Sequence, residues 1–144
     1  MGINYPVNNF YQIIQQNAEL SPRKIALFED DIKISNDELV RRVDKVAAYL
    51  CDLEIKQGDK VALVMSNSWQ FVVNLFAISK IGAIAVPVNN FLKHDELVYV
   101  INDSQTKLLF ASAKYSDEVR DLMIKTNVEK IIWVDGLPLE NETN

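Results

Sequence analysis

Residues 58–90 read GDKVALVMSNSWQFVVNLFAISKIGAIAVPVNN, and this stretch decides the fold. The uninterrupted apolar run 61–65 is typical of a strand that is covered on both faces. Apolar residues then surround nearly the whole circumference of segment 69–81, which predicts a buried helix. Gly82 can adopt the left-handed conformation that ends such a helix. The apolar residues within 83–88 predict a second strand. The stretch therefore predicts a strand–helix–strand unit of a parallel sheet.

Later segments continue this alternation. Apolar spacing predicts two more helices and two more strands, namely a helix around Leu97, Val100 and Ile101, a strand over 107–111, a helix around Val119, Leu122 and Met123, and a strand over 130–134. Such alternation with short connections predicts an α/β fold, a mostly parallel twisted sheet with helices on both faces. We expect this fold to occupy residues 1–136. The polar, aperiodic stretch 137–144 is predicted to be a linker or a truncation end.

The segment before the sheet predicts a helix and a small β-hairpin. Residues 8–18 have helical apolar spacing, which Ser21 and Pro22 then interrupt. Strands over 24–28 and 31–34 are expected to form the hairpin. Its turn is acidic, and we expect the carboxylates to face water rather than to bind a cation: Glu29, Asp30 and Asp31.

A capping box predicts where the next helix begins. Ser35 is followed three positions later by Glu38, and Ile34 before the cap can contact Leu39. The apolar stripe of this helix then continues to Leu53.

Composition excludes several kinds of functional site within the chain. The 144 residues are 49% hydrophobic and 24% charged, with a mean hydropathy of -0.02, which is typical of a globular protein. Four scattered glycines cannot form a glycine-rich phosphate loop. A single histidine, His94, and a single cysteine, Cys51, exclude an internal disulfide and a zinc site of the Cys/His type.

Charge and cysteine usage indicate the cellular setting. A formal charge of -5 and a pI near 4.9 disfavour a nucleic-acid partner. Cys51 lies among apolar helix positions, and an unpaired thiol without a secretory segment fits a cytoplasmic location. No apolar run reaches transmembrane length, so we expect at most peripheral membrane association.

Five side chains allow both a functional and a structural interpretation. Ser66 and Asn67 follow the first buried strand, where α/β sheets place ligands, but we favour a role as caps of the next helix. His94 could act as an acid or a base, yet no nucleophile is near it in sequence, so we expect a solvated loop histidine. Trp69 and Trp133 could line an apolar pocket, and we expect them in the core.

The stretch 58–90 resembles the N-terminal region of adenylate-forming enzymes, the superfamily of acyl-CoA synthetases, peptide-synthetase adenylation domains and luciferases. SPRKIALFEDDIKISNDEL, residues 21–39, looks like the opening hairpin and capped helix of that family. DELVYVINDSQTKLLFAS, residues 95–112, resembles the segment after its second core motif. Asn36 departs from the aromatic residue common in the first core motif, while Asn89 is more similar to acyl-CoA synthetases than to peptide-synthetase domains.

The resemblance implies the N-terminal subdomain of an ATP-dependent acyl-CoA synthetase, an acid–thiol ligase. Such a parent enzyme converts a carboxylic or fatty acid, ATP and CoA into acyl-CoA, AMP and pyrophosphate, and requires magnesium. The family's phosphate loop, magnesium ligand and catalytic lysine would lie beyond Asn144, so no catalytic or metal-binding residue is assigned here. We expect the 144-residue chain alone to be inactive and to bind no cofactor by itself.

Lys93 is the one cofactor-binding residue that the resemblance suggests. Some relatives carry a basic residue near the CoA nucleotide in the loop after the second core motif, and Phe91 replaces it here. Lys93 is then the nearest cation and is expected to meet a CoA phosphate, although relatives often have a capping Ser or Thr there. The expected partners are the C-terminal remainder of the enzyme, the acid substrate and, as an interface role allows, a second copy in a homodimer.

A stand-alone α/β ligand-binding or receiver-like signalling module is the alternative. A receiver needs a phosphorylatable aspartate at the end of a strand, whereas the strand 61–65 is followed by Ser66. Fold analogy alone cannot assign such a function.

Overall fold

A computed structural model describes residues 9–136, and the chain divides into two compact units. The first unit contains residues 9–58 and 68–84, and the second contains residues 59–67 and 85–136. The polar stretch 137–144 lies outside the described residues.

Three helices and a hairpin form the first unit. Helix α1 spans Tyr11–Leu20, β1 Ile25–Glu29, β2 Ile32–Ser35, α2 Asn36–Asp52 and α3 Trp69–Lys80. The two strands pair antiparallel, as predicted, and Asp30 in the turn has a positive φ of 50°.

The capping box prediction locates the start of α2 correctly. The Ser35 Oγ accepts a hydrogen bond from the Glu38 N–H at 3.2 Å. The predicted stripe packs inward with Leu39, Val43, Ala47 and Leu50 all buried, and α2 contacts both α1 and α3.

Helix α3 ends as predicted. Gly82 has φ +73°, and its N–H donates to the Ser79 carbonyl at 3.0 Å. A Cβ at position 82 would lie 3.0 Å from Gln57 Cγ, so both the backbone conformation and the space favour glycine here.

A parallel four-stranded sheet forms the second unit. Strand β3 spans Lys60–Val64, β4 Ile84–Pro87, β5 Thr106–Ala111 and β6 Lys130–Trp133, in the order β4-β3-β5-β6. Strand β5 pairs parallel with both β3 and β6. Helix α4 spans His94–Ser104, a 3-10 turn spans Ala113–Tyr115, and the single-turn helices α5 and α6 span Ser116–Val119 and Leu122–Lys125.

The side chains of β3 and β5 are buried on both faces of these strands, as the apolar run 61–65 predicts. Alternate residues of β3 and β5 pack with α4, α5 and α6 in one apolar cluster: Ala62, Val64, Leu97, Ile101, Leu109, Ala111, Val119, Leu122 and Val128. The strand residues between them point the other way and are buried too: Val61, Leu63, Leu108 and Phe110.

The single helix predicted around Val119 is wrong. Arg120 is extended, with φ -52° and ψ 137°, and Asp121 is left-handed with φ 62°, so the segment forms two separate turns. Val119 and Leu122 are both buried, and their spacing of three positions also fits one face of a single helix, so apolar spacing could not distinguish the two arrangements. Met123, predicted on the same apolar face, is 52% exposed.

One further prediction, the cap of α3, needs correction. Ser66 and Asn67 do not cap α3, because the cap is Ser68, whose Oγ accepts from the Phe71 N–H at 3.2 Å. Cys51, between Leu50 and Asp52 on α2, is exposed. None of the helices within residues 9–136 is long and apolar enough to span a bilayer.

Candidate functional site

The carboxyl edge of the sheet is the first candidate site, because open α/β sheets bind ligands there. Polar residues follow each strand: Ser66 after β3, Asn89 after β4, Ser112 after β5 and Asp135 after β6. Backbone hydrogen bonds join these strand ends. The Ser112 N–H donates to the Val64 carbonyl at 3.0 Å, and the Val88 N–H donates to the Leu63 carbonyl at 3.1 Å.

Two of these polar side chains orient the loops themselves. Asp135 Oδ1 accepts from the Ala113 N–H at 2.7 Å, and Asn89 Oδ1 accepts from the Phe91 N–H at 3.0 Å. Ser112 is only 6% exposed. The edge therefore offers hydroxyl and amide groups with one carboxylate, a set that suits neutral hydrogen bonding rather than nucleophilic catalysis.

Lys93 follows this edge as the N-cap residue of α4. Its side chain is exposed, and its backbone N–H donates to Glu96 Oε2 at 2.9 Å. Because an ammonium group has no acceptor, Lys93 cannot cap with its side chain, and the Glu96 carboxylate supplies half of a capping box. Phe91, two residues earlier, is 89% exposed.

The prediction that His94 is a solvated loop histidine is wrong. His94 is the first residue of α4. Its Nδ1 lies 3.0 Å from the Glu118 carbonyl oxygen and its Nε2 lies 2.9 Å from Lys125 Nζ. A carbonyl only accepts, so Nδ1 carries the proton and Nε2 accepts from the ammonium. The half-buried ring thereby connects α4 with α5 and α6, which is a structural role.

Trp69 lines a groove in the first unit rather than its core. The Arg42 guanidinium lies 4.4 Å from the centroid of the Trp69 ring, a cation–π distance. We call this groove of about 510 Å³ the basic groove. Its lining residues come from α2 and α3: Glu38, Arg41, Arg42, Lys45, Val46, Trp69 and Val73. Trp133 is half-buried against the apolar cluster of the second unit, close to its predicted core position.

The acidic turn of the hairpin does not face water throughout, contrary to prediction. Glu29 is half-buried, and its Oε2 accepts from the Trp69 N–H at 2.6 Å. This N–H belongs to the first turn of α3, where donors are unpaired and the helix dipole favours a carboxylate. Asp30 and Asp31 are exposed, as predicted.

A cluster of polar side chains joins α1, α2 and α3. Asp44 Oδ1 accepts from the Tyr11 hydroxyl at 2.9 Å and from Lys80 Nζ at 2.6 Å. Burial and the hydrogen bond to Asp44 raise the pKa of Tyr11. Burial opposes the charge on Lys80, but hydrogen bonds to Asp44 and Tyr11 outweigh it and raise the pKa of Lys80.

An apolar cleft of about 460 Å³ lies between α1, the hairpin, α2 and α3. Asn36 reaches it and is only 8% exposed. Its Nδ2 donates to the Ser21 carbonyl at 2.9 Å, so the amide secures the end of α1. Within residues 9–136, no three His, Cys, Asp or Glu side chains converge to hold a metal ion.

Comparison with known proteins finds one enzyme family and relatives among CoA ligases and peptide synthetases. A family model described as "AMP-binding enzyme" matches residues 14–144. The 3-oxocholest-4-en-26-oate–CoA ligase of Rhodococcus rhodochrous is 29% identical over 134 residues, which are 92% of this chain and 24% of that protein. One of the linear gramicidin synthase proteins of Brevibacillus parabrevis is 27% identical over 141 residues, 97% of this chain and 2% of that protein.

A solved structure is similar in fold. The crystal structure of the anthranilate CoA ligase AuaEII in complex with anthranoyl-AMP superposes with a TM-score of 0.84 at 26% identity, covering 88% of this chain and 25% of that one. The chain thus spans about a quarter or less of the length of each of these three proteins.

Proposed function

The chain belongs to the AMP-binding enzyme family, and from that premise we propose that it forms the N-terminal part of an ATP-dependent ligase that joins a carboxylic acid to CoA. The match over residues 14–144 carries this proposal, because it includes both compact units. The receiver-like alternative has no such support.

The reaction proposed for the whole enzyme has two steps. The carboxylate of the acid attacks the α-phosphorus of ATP and pyrophosphate leaves, which gives an acyl-adenylate. The thiol of CoA then attacks the acyl carbon, and AMP leaves with the bonding electron pair. Anthranoyl-AMP in the similar ligase structure is an adenylate of this kind.

The described residues do not fit the phosphates of ATP or the magnesium ion. Phosphoryl chemistry needs cations and carboxylates that converge on the reacting oxygens. The sheet edge presents Ser66, Asn89 and Ser112 with the single carboxylate of Asp135, which accepts from the Ala113 N–H, and residues 9–136 hold no group of three metal-ligating side chains. We therefore place these ligands with the remainder of the enzyme, and assign this chain a scaffold role.

Lys93 is the one residue to which we assign a cofactor contact, with a phosphate of CoA. Its exposed ammonium on the loop after β4 supports this assignment. In the full-length ligase, Lys93→Ala should raise the KM for CoA about threefold to tenfold with little change in kcat, as expected for a lost surface ion pair. Lys24→Ala, another exposed lysine, is the matched control, and an unchanged KM in Lys93→Ala would reject the contact.

Pyrophosphate exchange tests the proposed function. The full-length enzyme should exchange pyrophosphate into ATP only when an acid is present, and residues 1–144 alone should show none. Robust acid-dependent exchange by residues 1–144 would show that catalytic groups lie within this chain.

The similarity to a gramicidin synthase protein supports a second candidate, adenylation in peptide synthesis. Both functions share the adenylate, so the acceptor separates them. A CoA thioester as the product of the full-length enzyme favours the ligase, whereas aminoacyl transfer only to a carrier domain favours the second candidate. A panel of fatty, aromatic and sterol acids then defines the substrate class.

The cellular location and the partners of the enzyme are part of the same proposal. We propose a cytoplasmic enzyme with at most peripheral membrane association, whose partners are its own C-terminal remainder and the acid substrate. The net charge of -5 supports the absence of a nucleic-acid partner. Fractionation of the expressed full-length protein tests the location.

A further inference from the structure

The hairpin of the first unit ends in an exposed acidic tip, which we define as residues 28–32. The side chains of Phe28 and Ile32 are 69% and 42% exposed. Between them, Asp30 and Asp31 are exposed, and neither forms an ion pair within residues 9–136. Lys33 Nζ lies 5.8 Å from the Phe28 ring, yet the tip remains acidic.

The basic groove has the opposite character. Glu38 pairs with Arg42, so these two charges largely cancel. Arg41 pairs with Asp37 but keeps 61% of its side chain exposed, and Lys45 is exposed without an ion pair in the described part of the chain. Half-buried Val46 forms the apolar floor of the groove, whose other valine, Val73, is buried. The groove is thus opposite to the tip in charge and, like the tip, exposes some apolar surface.

The tip and the groove are neighbours in one chain but do not pair with each other. Glu29, within the tip, accepts from the N–H of Trp69, which lines the groove. Asp30 and Asp31 nevertheless form no ion pair with Lys45 or Arg41 of the same chain; Arg41 pairs with Asp37, and Lys45 has no ion pair in the described part of the chain. Two complementary surfaces side by side are what a two-fold interface needs, since each copy then contributes a tip and a groove.

We propose that a second copy of this chain docks here, with the acidic tip of each copy in the basic groove of the other. Asp30 and Asp31 pair with Arg41 and Lys45 of the second copy, and Phe28 packs on the floor of its groove. A hairpin tip buries less than a standard interface, so we expect a weak dimer with a roughly micromolar dissociation constant that rises with salt.

Sedimentation velocity with a charge swap tests this pairing. The unmodified chain should associate as its concentration rises to about 0.5 mM, above the roughly micromolar constant expected. Asp30→Lys with Asp31→Lys should weaken self-association at least about tenfold, and so should Arg41→Glu with Lys45→Glu, because each places like charges together. An equimolar mixture of the two double variants should restore the dimer.

Asp52→Lys with Asp103→Lys is the matched control, since it changes the net charge as much as the tip variant. Both positions lie near helix C-termini, where a lysine is favourable, and self-association should not weaken. Circular dichroism reports whether each variant is folded. If Arg41→Glu disturbs folding, Lys45→Glu alone serves as the groove variant.

Three results would overturn the proposal. A strictly monomeric chain would show that no second copy docks on these surfaces. A dimer that persists in both double variants would use another surface. Failure of the equimolar mixture to restore the dimer would likewise show that the tip does not pair with the groove. The test does not depend on ligase activity, so the pairing can fail while the proposed function stands.

Discussion

At the scale of single residues, Asp44 joins the three helices of the first unit through one carboxylate oxygen. Tyr11 and Lys80 both donate to it, and the Lys80 ammonium also lies 4.4 Å from the centroid of the Tyr11 ring. Burial with the bond to Asp44 raises the pKa of Tyr11, and hydrogen bonds raise that of Lys80 despite burial. The folded chain therefore holds both protons more tightly than the unfolded chain does.

This cluster predicts a loss of stability in alkaline solution. A group whose pKa is raised by folding contributes stability below its unfolded pKa and loses it as the pH rises through its folded pKa. Tyr11→Phe should lower the free energy of unfolding by about 1 kcal/mol at about pH 8, through the lost hydrogen bond. The difference from the unmodified chain should shrink as the pH rises beyond about 10, the ordinary pKa of tyrosine, because the unmodified chain then loses the same bond.

Urea denaturation across this pH range measures the difference. Tyr99→Phe is the control, because Tyr99 is 70% exposed, and it should change stability by less than about 0.5 kcal/mol at every pH. A Tyr11→Phe difference that grew with rising pH would contradict the predicted sign.

Side chains that connect distant segments are the part of the structure that sequence patterns could not reveal. Tyr11 lies 33 positions from Asp44, and His94 lies 31 positions from Lys125. Periodicity places each residue on a helix face but carries no information on which faces meet. Asn36 was visible only as a departure from the family motif, and its role in securing the end of α1 needed the fold.

At the scale of elements, the position of a helix cap decides where α3 begins. Ser68→Ala should cost about 1 kcal/mol of stability through the lost bond from the Phe71 N–H, and Ser35→Ala should cost about the same at α2. Ser66→Ala, at the predicted but incorrect cap position, should cost less than about 0.5 kcal/mol. Thermal or urea unfolding of the three variants checks this order. An equal or larger loss in Ser66→Ala would mean that Ser66 stabilises the fold by a contact other than capping.

Strands with apolar runs were predictable from the sequence, including the four-residue strands β4 and β6, whereas the helical turns of segment 116–125 were not. The run 61–65 identified β3 to within a residue, because five consecutive apolar side chains are typical of a strand buried on both faces. The segment 116–125 offered just two buried positions, Val119 and Leu122, which one helix or two separate turns satisfy equally. The cap at Ser68 was missed because three consecutive candidates, Ser66, Asn67 and Ser68, have similar capping preferences.

At the scale of the whole molecule, neither compact unit is continuous in sequence. The chain leaves the first unit after Gly58 to form β3, returns at Ser68 for α3, and leaves again after Ile84. Strand β3 then pairs with β5, which lies more than forty residues later. A cut after Ile84 therefore leaves the first unit attached to β3 without its neighbouring strands β4 and β5, although all three helices of that unit are retained.

We predict that a chain ending at Ile84 does not unfold cooperatively. Four β3 residues, Val61, Ala62, Leu63 and Val64, are almost fully buried, and the three larger ones contribute roughly 2 kcal/mol each when buried. Their sum is comparable to the roughly 5–15 kcal/mol free energy of unfolding of an ordinary domain. Exposure of these side chains without β5 therefore removes most of that free energy. Urea unfolding followed by tryptophan fluorescence, which Trp69 supplies in the truncated chain, should show a broad, shallow change instead of the sharp transition of the 144-residue chain. Adding a separately produced segment 85–144 should sharpen the transition, because it returns β5 to β3. A sharp, concentration-independent transition in the truncated chain alone would instead show that the first unit is stable without the sheet.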